Sequence, residues 1–177
     1  MLDLSFNHNG KYMAVEKLAA NMGEDIYNFL QKIPKETEEF SNHASGMTFG
    51  EYKEWLIKME ESSKGMNLPD NYVPQTMFIL YEEDVPIGVA KVRRRLNEEL
   101  IKKGGHITFY ILPEFRENGL GTAFMMKLLD FAEEELAMSD ILFTITSSNI
   151  QAIKIATRMG AVLEDKDEGV SKYWIRK

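Results

Sequence analysis

The stretch Gly104-Gly105-His106-Ile107-Thr108-Phe109-Tyr110-Ile111-Leu112-Pro113-Glu114-Phe115-Arg116-Glu117-Asn118-Gly119-Leu120-Gly121-Thr122 decides the fold. Its first half, Gly105 to Leu112, reads as a β-strand closed by Pro113. A glycine-rich turn follows. From Leu120 to Leu136, residues Leu120, Phe124, Leu128, Phe131 and Ala132 then recur on one face of a long helix. A strand that turns tightly into a helix leaves the first helical N–H groups free, at the positive end of the helix dipole. Gly119 and Gly121 allow the tight turn and a close backbone approach, and Arg116 adds a full charge at the lip. The pattern predicts a pyrophosphate cradle.

Other phosphate loops fit less well. A P-loop needs a Lys directly after its second glycine, and none follows here. A dinucleotide fingerprint needs a third glycine, and Phe124 holds that position. Two glycines alone also fit a plain structural turn.

Downstream, Ile141–Thr146 predicts a central strand and Asn149–Met159 a second helix capped by Gly160. Ala161–Leu163 and Val170–Ile175 predict a hairpin about Asp165–Gly169. Upstream, Met77–Tyr81 and Ile87–Val92 predict another hairpin about Glu82–Asp84, an arrangement foreign to a nucleotide-binding domain of parallel strands. Thr48 and Glu51 form a capping-box pattern before a helix with the stripe Tyr52, Trp55, Leu56 and Met59. Residues 35–47 and 65–74 read as loops. Met13 to Ile33 reads as a helix, interrupted near Gly23 and ended by Pro34. Leu2, Leu4 and Phe6 alternate as a first short strand before an Asn9-Gly10 turn.

The chain has 177 residues, 44% of them apolar, which suits one domain over 1–177 with a core of its own. No cysteine is present, which excludes thiol nucleophiles, zinc–thiolate sites and disulfides, and no metal is expected. With 21 Lys and Arg against 28 Asp and Glu the net charge is −7, which argues against a nucleic-acid partner. The N-terminal segment is no export signal and no apolar run is long enough for a membrane span, so a cytoplasmic protein is expected.

Arg116-x-x-Gly119-x-Gly121 after a proline-stopped strand, followed by Asn149-Ile-Gln-Ala152 through Gly160-Ala161, resembles the two motifs of the GNAT N-acetyltransferase superfamily. Arg93-Arg-Arg-Leu-Asn97, Gly104-Gly-His-Ile107 and Ser171-Lys-Tyr-Trp-Ile175 resemble a bacterial subgroup of predicted acetyltransferases. The resemblance is strong over about 74–177 and weak before it. It implies an α/β (α+β) fold with a mixed, mostly antiparallel sheet of six to seven strands. That sheet is splayed at its centre, between the strands ending near Leu112 and Thr146, and flanked by about four helices. The N-terminal helices, within 11–65, would wall the acceptor side. It implies acetyl-CoA as co-substrate, with Arg116, Glu117, Asn118, Gly119, Leu120, Gly121 and Thr122 on its pyrophosphate. Ile111 would meet the pantetheine arm, and Asn149 the arm or a water near the thiol. The implied activity is direct acetyl transfer to a primary amine of a small molecule or peptide, by a monomer or homodimer. The alternative is a CoA-binding sensor or interaction module with little catalysis.

Two familiar catalytic side chains are missing. The position of the Tyr that protonates the leaving thiolate in many relatives is Ala156, and that of a general-base Glu in some is Gly105. His106 is the one His within the motif region, and its chemistry suits a general base, although a His packed on a strand face or exposed at the sheet edge fits as well. Arg93 and Arg94 fit recognition of the acceptor substrate, or a solvated strand end near Glu98 and Glu99.

Overall fold

The computed structural model describes residues 2–116 and 118–177. The elements in chain order are β1 Phe6–His8, β2 Lys11–Lys17, α1 Glu24–Gln31, α2 Phe49–Ser63, β3 Gln75–Glu82, β4 Val85–Arg93 and α3 Glu98–Lys102. There follow β5 Ile107–Ile111, a 3-10 turn Pro113–Phe115, α4 Leu120–Glu134, β6 Ile141–Thr146, α5 Ile150–Arg158, β7 Val162–Asp167 and β8 Val170–Ile175.

The strands form two antiparallel sheets, ordered β1-β2-β3-β4-β5 and β6-β8-β7. Alternation along the strands builds two cores. Phe78, Leu80, Ala90, Val92, Ile107 and Ile111 pack with α4 and α5 residues. Met77, Ile79, Val89 and Leu112 pack on the other face, with α1 and α2. The result is a helix–sheet–helix sandwich of mixed α+β type. Among the described residues it has eight strands and five α-helices, against the expected six or seven strands and about four helices.

Local chemistry explains most boundaries. Asn9 and Gly10 both have positive φ (50° and 78°), as a two-residue hairpin turn of the primed type requires. Thr48 and Glu51 make the capping box of α2 in both directions. Gly160, at φ 93°, follows the last turn of α5.

Two expectations are overturned. The first short strand is Phe6–His8, not the alternating Leu2, Leu4 and Phe6, because its ladder with β2 begins at the pair Phe6 and Met13. Met13 to Ile33 is not one interrupted helix, because its first part is β2 and only Glu24–Gln31 is helical. Met13 and Val15 are buried while Tyr12 and Glu16 are exposed, the period of a strand. Val15 pairs with Leu80, so ladder hydrogen bonds with β3 outweigh a spacing that also fits a helix. The true helix buries Ile26, Phe29 and Leu30.

The two sheets meet without a shared ladder. At the start of β5, His106 N–H donates to Leu142 O at 2.9 Å, and Leu142 N–H donates to His106 Nδ1 at 2.8 Å. Gly104 N–H donates to Thr144 Oγ1 at 2.7 Å. Beyond these contacts β5 and β6 are unpaired among the described residues, so the sheet opens toward Leu112 and Thr146.

Candidate active site

Gly105 makes the closed end of that opening possible. Its φ is +66°, and a Cβ there would lie 2.5 Å from Leu142 O. A Glu at this position would force the sheets apart, so its absence is a packing requirement. Ala156 is likewise buried in the core on α5, and it carries no proton to give.

At the open end lies the start of α4. Asn118 (φ 55°) and Gly119 (φ 79°) turn the chain through successive left-handed conformations. Among the described residues no side chain caps the helix, and the space over Gly119 is open. Gly121 also has a packing role. A Cβ there would lie 2.9 Å from Ile155 Cδ1 and 3.4 Å from Phe109 Cζ, so this glycine lets α4 pack closely on α5 and β5. Arg116 stacks on the Tyr110 ring at 4.8 Å and donates Nε–H to Ile111 O at 2.7 Å. Leu112 N–H donates to Ile87 O on β4, so strand alternation aims the Ile111 N–H away from β4, into the opening. Arg158 of α5 reaches Thr122 Oγ1 at 3.4 Å and brings a second cation to the first turn of α4. Leu120 is buried beneath that turn. Glu117, the remaining residue of the expected cradle, lies outside the described residues. The donor set of free N–H groups and two guanidinium groups suits a phosphate group.

The opposite face of the opening is polar. A cavity of about 340 Å³ lies under the loop between α1 and α2, lined among others by Glu39, Lys91, Arg93, Thr108 and Thr144. Glu39 Oε1 accepts from Thr146 N–H at 2.9 Å and from Asn149 Nδ2 at 3.2 Å. Burial pushes the Glu39 carboxyl above its ordinary value, against the hydrogen bonds from Thr146 and Asn149. Asn149 Oδ1 also caps α5 by accepting from Ala152 N–H at 3.2 Å, which leaves one Nδ2 hydrogen free among the described residues.

His106 is placed as a structural pin. Its Nδ1 lone pair receives Leu142 N–H, and its ring sits edge-on to Trp174 at 6.2 Å. Burial, with help from the Arg93 charge, pulls its pKa down to about 4. A general base needs a free lone pair and a pKa near the working pH, and His106 has neither at Nδ1. Arg93 reaches the cavity, whereas Arg94 lies beyond the end of β4, exposed, and does not line it. Reading the sequence missed Glu39, in a polar loop, and Lys91, within an apolar strand. Neither carries a motif.

Residues 30–161, well over half of the chain, match the model of the acetyltransferase (GNAT) family. The chain belongs to that family. GNAT structures share its fold. A ribosomal-protein-S5-alanine acetyltransferase from Vibrio fischeri superposes with a TM-score of 0.71 at 15% identity, covering 97% of this chain and 96% of that one. An N-acetyltransferase from Campylobacter jejuni, solved with acetyl coenzyme A, gives a TM-score of 0.61 at 12% identity, covering 93% and 99%. A dodecameric spermidine N-acetyltransferase from Vibrio cholerae gives 0.62 at 16% identity, covering 93% of each. No curated protein matches the sequence. Among the described residues no cluster of His, Asp or Glu is arranged to hold a metal, and no helix is long and apolar enough to cross a membrane.

Proposed function

We propose that this GNAT protein transfers the acetyl group of acetyl-CoA directly to the primary amine of a small molecule or peptide. The observation that carries the reading is the start of α4, uncapped by any described residue, opening onto the ends of β5 and β6 that do not pair with each other. The first N–H groups of α4, with Arg116 and Arg158 beside them, hold the anionic end of the cofactor. Arg116 also ties the cradle to the Ile111 carbonyl. The Ile111 N–H, aimed into the opening, donates to the bound cofactor. Bound acetyl-CoA supplies an activated carbonyl. With no cysteine to accept the acetyl group, the chain holds the amine next to that carbonyl and gains rate by proximity.

A protonated amine must lose a proton before it attacks. Glu39 is the base we assign, replacing His106: it lies between the cavity and the opening, and burial raises its proton affinity toward the useful range. His106 stays neutral and pins the two sheets.

The test pairs binding with turnover. CoA affinity by calorimetry is expected to fall about tenfold or more in Arg116→Ala, since a charge-assisted contact is lost. Unchanged affinity refutes the cradle. Acetylated product is followed by mass spectrometry across an amine panel. Tight CoA binding with no product from any amine would leave a sensor or interaction module instead.

A further inference from the structure

Lys91 and Arg93 sit two residues apart on β4, on the face that packs under the α1–α2 loop. Lys91 is 2% exposed and Arg93 is 9% exposed. Lys91 Nζ donates to Ser41 O at 2.5 Å and lies 4.6 Å from the centre of the Phe40 ring. Arg93 Nη1 donates to Gly105 O at 3.0 Å. Every one of these partners is neutral. No carboxylate lies within ion-pair distance of either cation among the described residues. Two buried like charges without a counter-ion are costly, and apolar side chains of similar volume would hold the strand at less cost. Burial first, and the Arg93 charge second, draw Lys91 down to about 7, and the more distant Glu36 offsets them only in part.

The surroundings say which anion fits. Both cations line the cavity of about 340 Å³, which suits a small molecule. The same cavity carries Glu38, Glu39 and Glu99. With Lys103 and His43 also on the lining, carboxylates and cations stand side by side, which matches a molecule of mixed sign. Glu39 stands on the side of the opening, where it accepts from Thr146 and Asn149 through Oε1 alone. Its Oε2 makes no hydrogen bond among the described residues, so it is available to an ammonium group.

We propose that this cavity is the acceptor site and that the acceptor is an amine that also bears a carboxylate, the carboxylate seated on Lys91 and Arg93 and the amine against Glu39. The assignment rests on the acetyltransferase reading above and names its substrate class. In the reaction the ammonium group loses one proton to Glu39, its nitrogen bonds to the acetyl carbon, the carbon–sulfur bond breaks, the sulfur leaves with its electron pair, and the second proton released by the nitrogen passes through solvent to the thiolate. Products are an N-acetylated acid and free CoA.

The experiment uses the full-length protein with acetyl-CoA and a panel of amino acids, from glycine to 6-aminohexanoate and the common α-amino acids. Each is set against its amide, with 1,4-diaminobutane as a cationic-tail control. At least one acid is expected to be acetylated with a kcat/KM about a hundredfold or more above its amide, because a buried charge pair is lost with the amide. Lys91→Met is expected to bring the acid down to the level of its amide, mainly through KM, while CoA affinity stays within about twofold. Arg93→Gln should act in the same direction and guards against a folding defect in one variant. Amides or the diamine used as well as the acids, or a Lys91→Met effect equal on acid and amide, would overturn the proposal. Failure to bind acetyl-CoA, or to acetylate anything, counts against the acetyltransferase reading instead. The cavity is then judged by binding alone. Acids should raise the melting temperature of the wild type and not of Lys91→Met, and no rise with any acid overturns the site.

Discussion

Gly105→Ala tests whether the two sheets are pinned at one end by a contact that tolerates no side chain. An L-residue with φ near +66° costs about 1–2 kcal/mol in the left-handed region. The new Cβ would sit 2.5 Å from Leu142 O, a backbone atom of β6 that cannot swing aside. Relief requires the sheets to part. That breaks His106 N–H to Leu142 O and Leu142 N–H to His106 Nδ1, each worth about 1 kcal/mol. The expected destabilisation is therefore about 3–4 kcal/mol. For a chain of this size that is a fall of roughly 6–15 °C in melting temperature. Gly119→Ala is the matched control. Its φ is +79°, yet the space beside it is open, so only the backbone cost of about 1–2 kcal/mol applies. Urea unfolding of both variants without ligand, at unchanged m-value, isolates the clash as the difference between them. Equal destabilisation of the two variants, within about 0.5 kcal/mol, would refute the pinned end.

Glu39→Gln keeps an oxygen for Thr146 N–H and removes the proton acceptor, so kcat should fall about a hundredfold or more with CoA affinity unchanged. A wild-type pH profile in that variant would remove Glu39 from the chemistry. His106→Asn retains an acceptor for Leu142 N–H, and transfer should stay within about tenfold of wild type; a loss of about a thousandfold with normal CoA binding would restore His106 as the base. Because the folded pKa of His106 is about 4, below its ordinary 6.5, the unfolded chain binds the extra proton in between. The stability contribution is thus present above about pH 6.5 and lost as pH falls toward 4, and His106→Asn should flatten that slope in unfolding titrations. Lys91 obeys the same sign at higher pH. Its folded pKa of about 7 lies below 10.5, so stability should rise from about pH 7 upward, with Arg93 and Glu36 as the charges that bear on it. Lys91→Met should be at least as stable as wild type at pH 7 and lose the rise. A variant clearly less stable there would show that the cation is compensated within the fold.

The second half of the chain was readable because its signals are local. The Pro113 stop, the Gly119 turn, the Asn149 cap and Gly160 each act within a few residues, and β6 begins and ends where its apolar run does. The first half was harder. Val15, Leu18 and Met22 keep helical spacing, but the backbone of residues 13–17 is claimed by a strand more than sixty positions away, Met13 pairing with Glu82 and Lys17 with Phe78. No window of a dozen residues contains that partner. Gly121 shows the same limit: besides the role its motif suggests, it gives clearance to Ile155, which arrives from another helix.

The chemistry of the site follows the same division. The phosphate end is made of consecutive N–H groups, and a sequence displays those as a turn followed by a helix. The acceptor end is made of side chains whose character comes from what covers them. Lys91 reads as one polar residue in Ile87-Gly-Val-Ala-Lys-Val92, and only the fold of Phe40 and Ser41 over it turns a solvated ammonium into a buried one. Glu39 is one of many acids in a chain of net charge −7 until it meets Asn149. Net charge is therefore a poor guide to the ligands of this protein. An acidic chain can present two anion sites on opposite sides of one opening if the first draws on helix N–H groups and guanidinium tips at the surface, and the second on cations whose counter-ions the fold has withheld. The second arrangement has a consequence the first lacks. Its cations are under-compensated until an anion arrives, so the free energy of binding includes relief of a cost already carried by the fold, and an amide in place of the carboxylate forfeits that relief entirely.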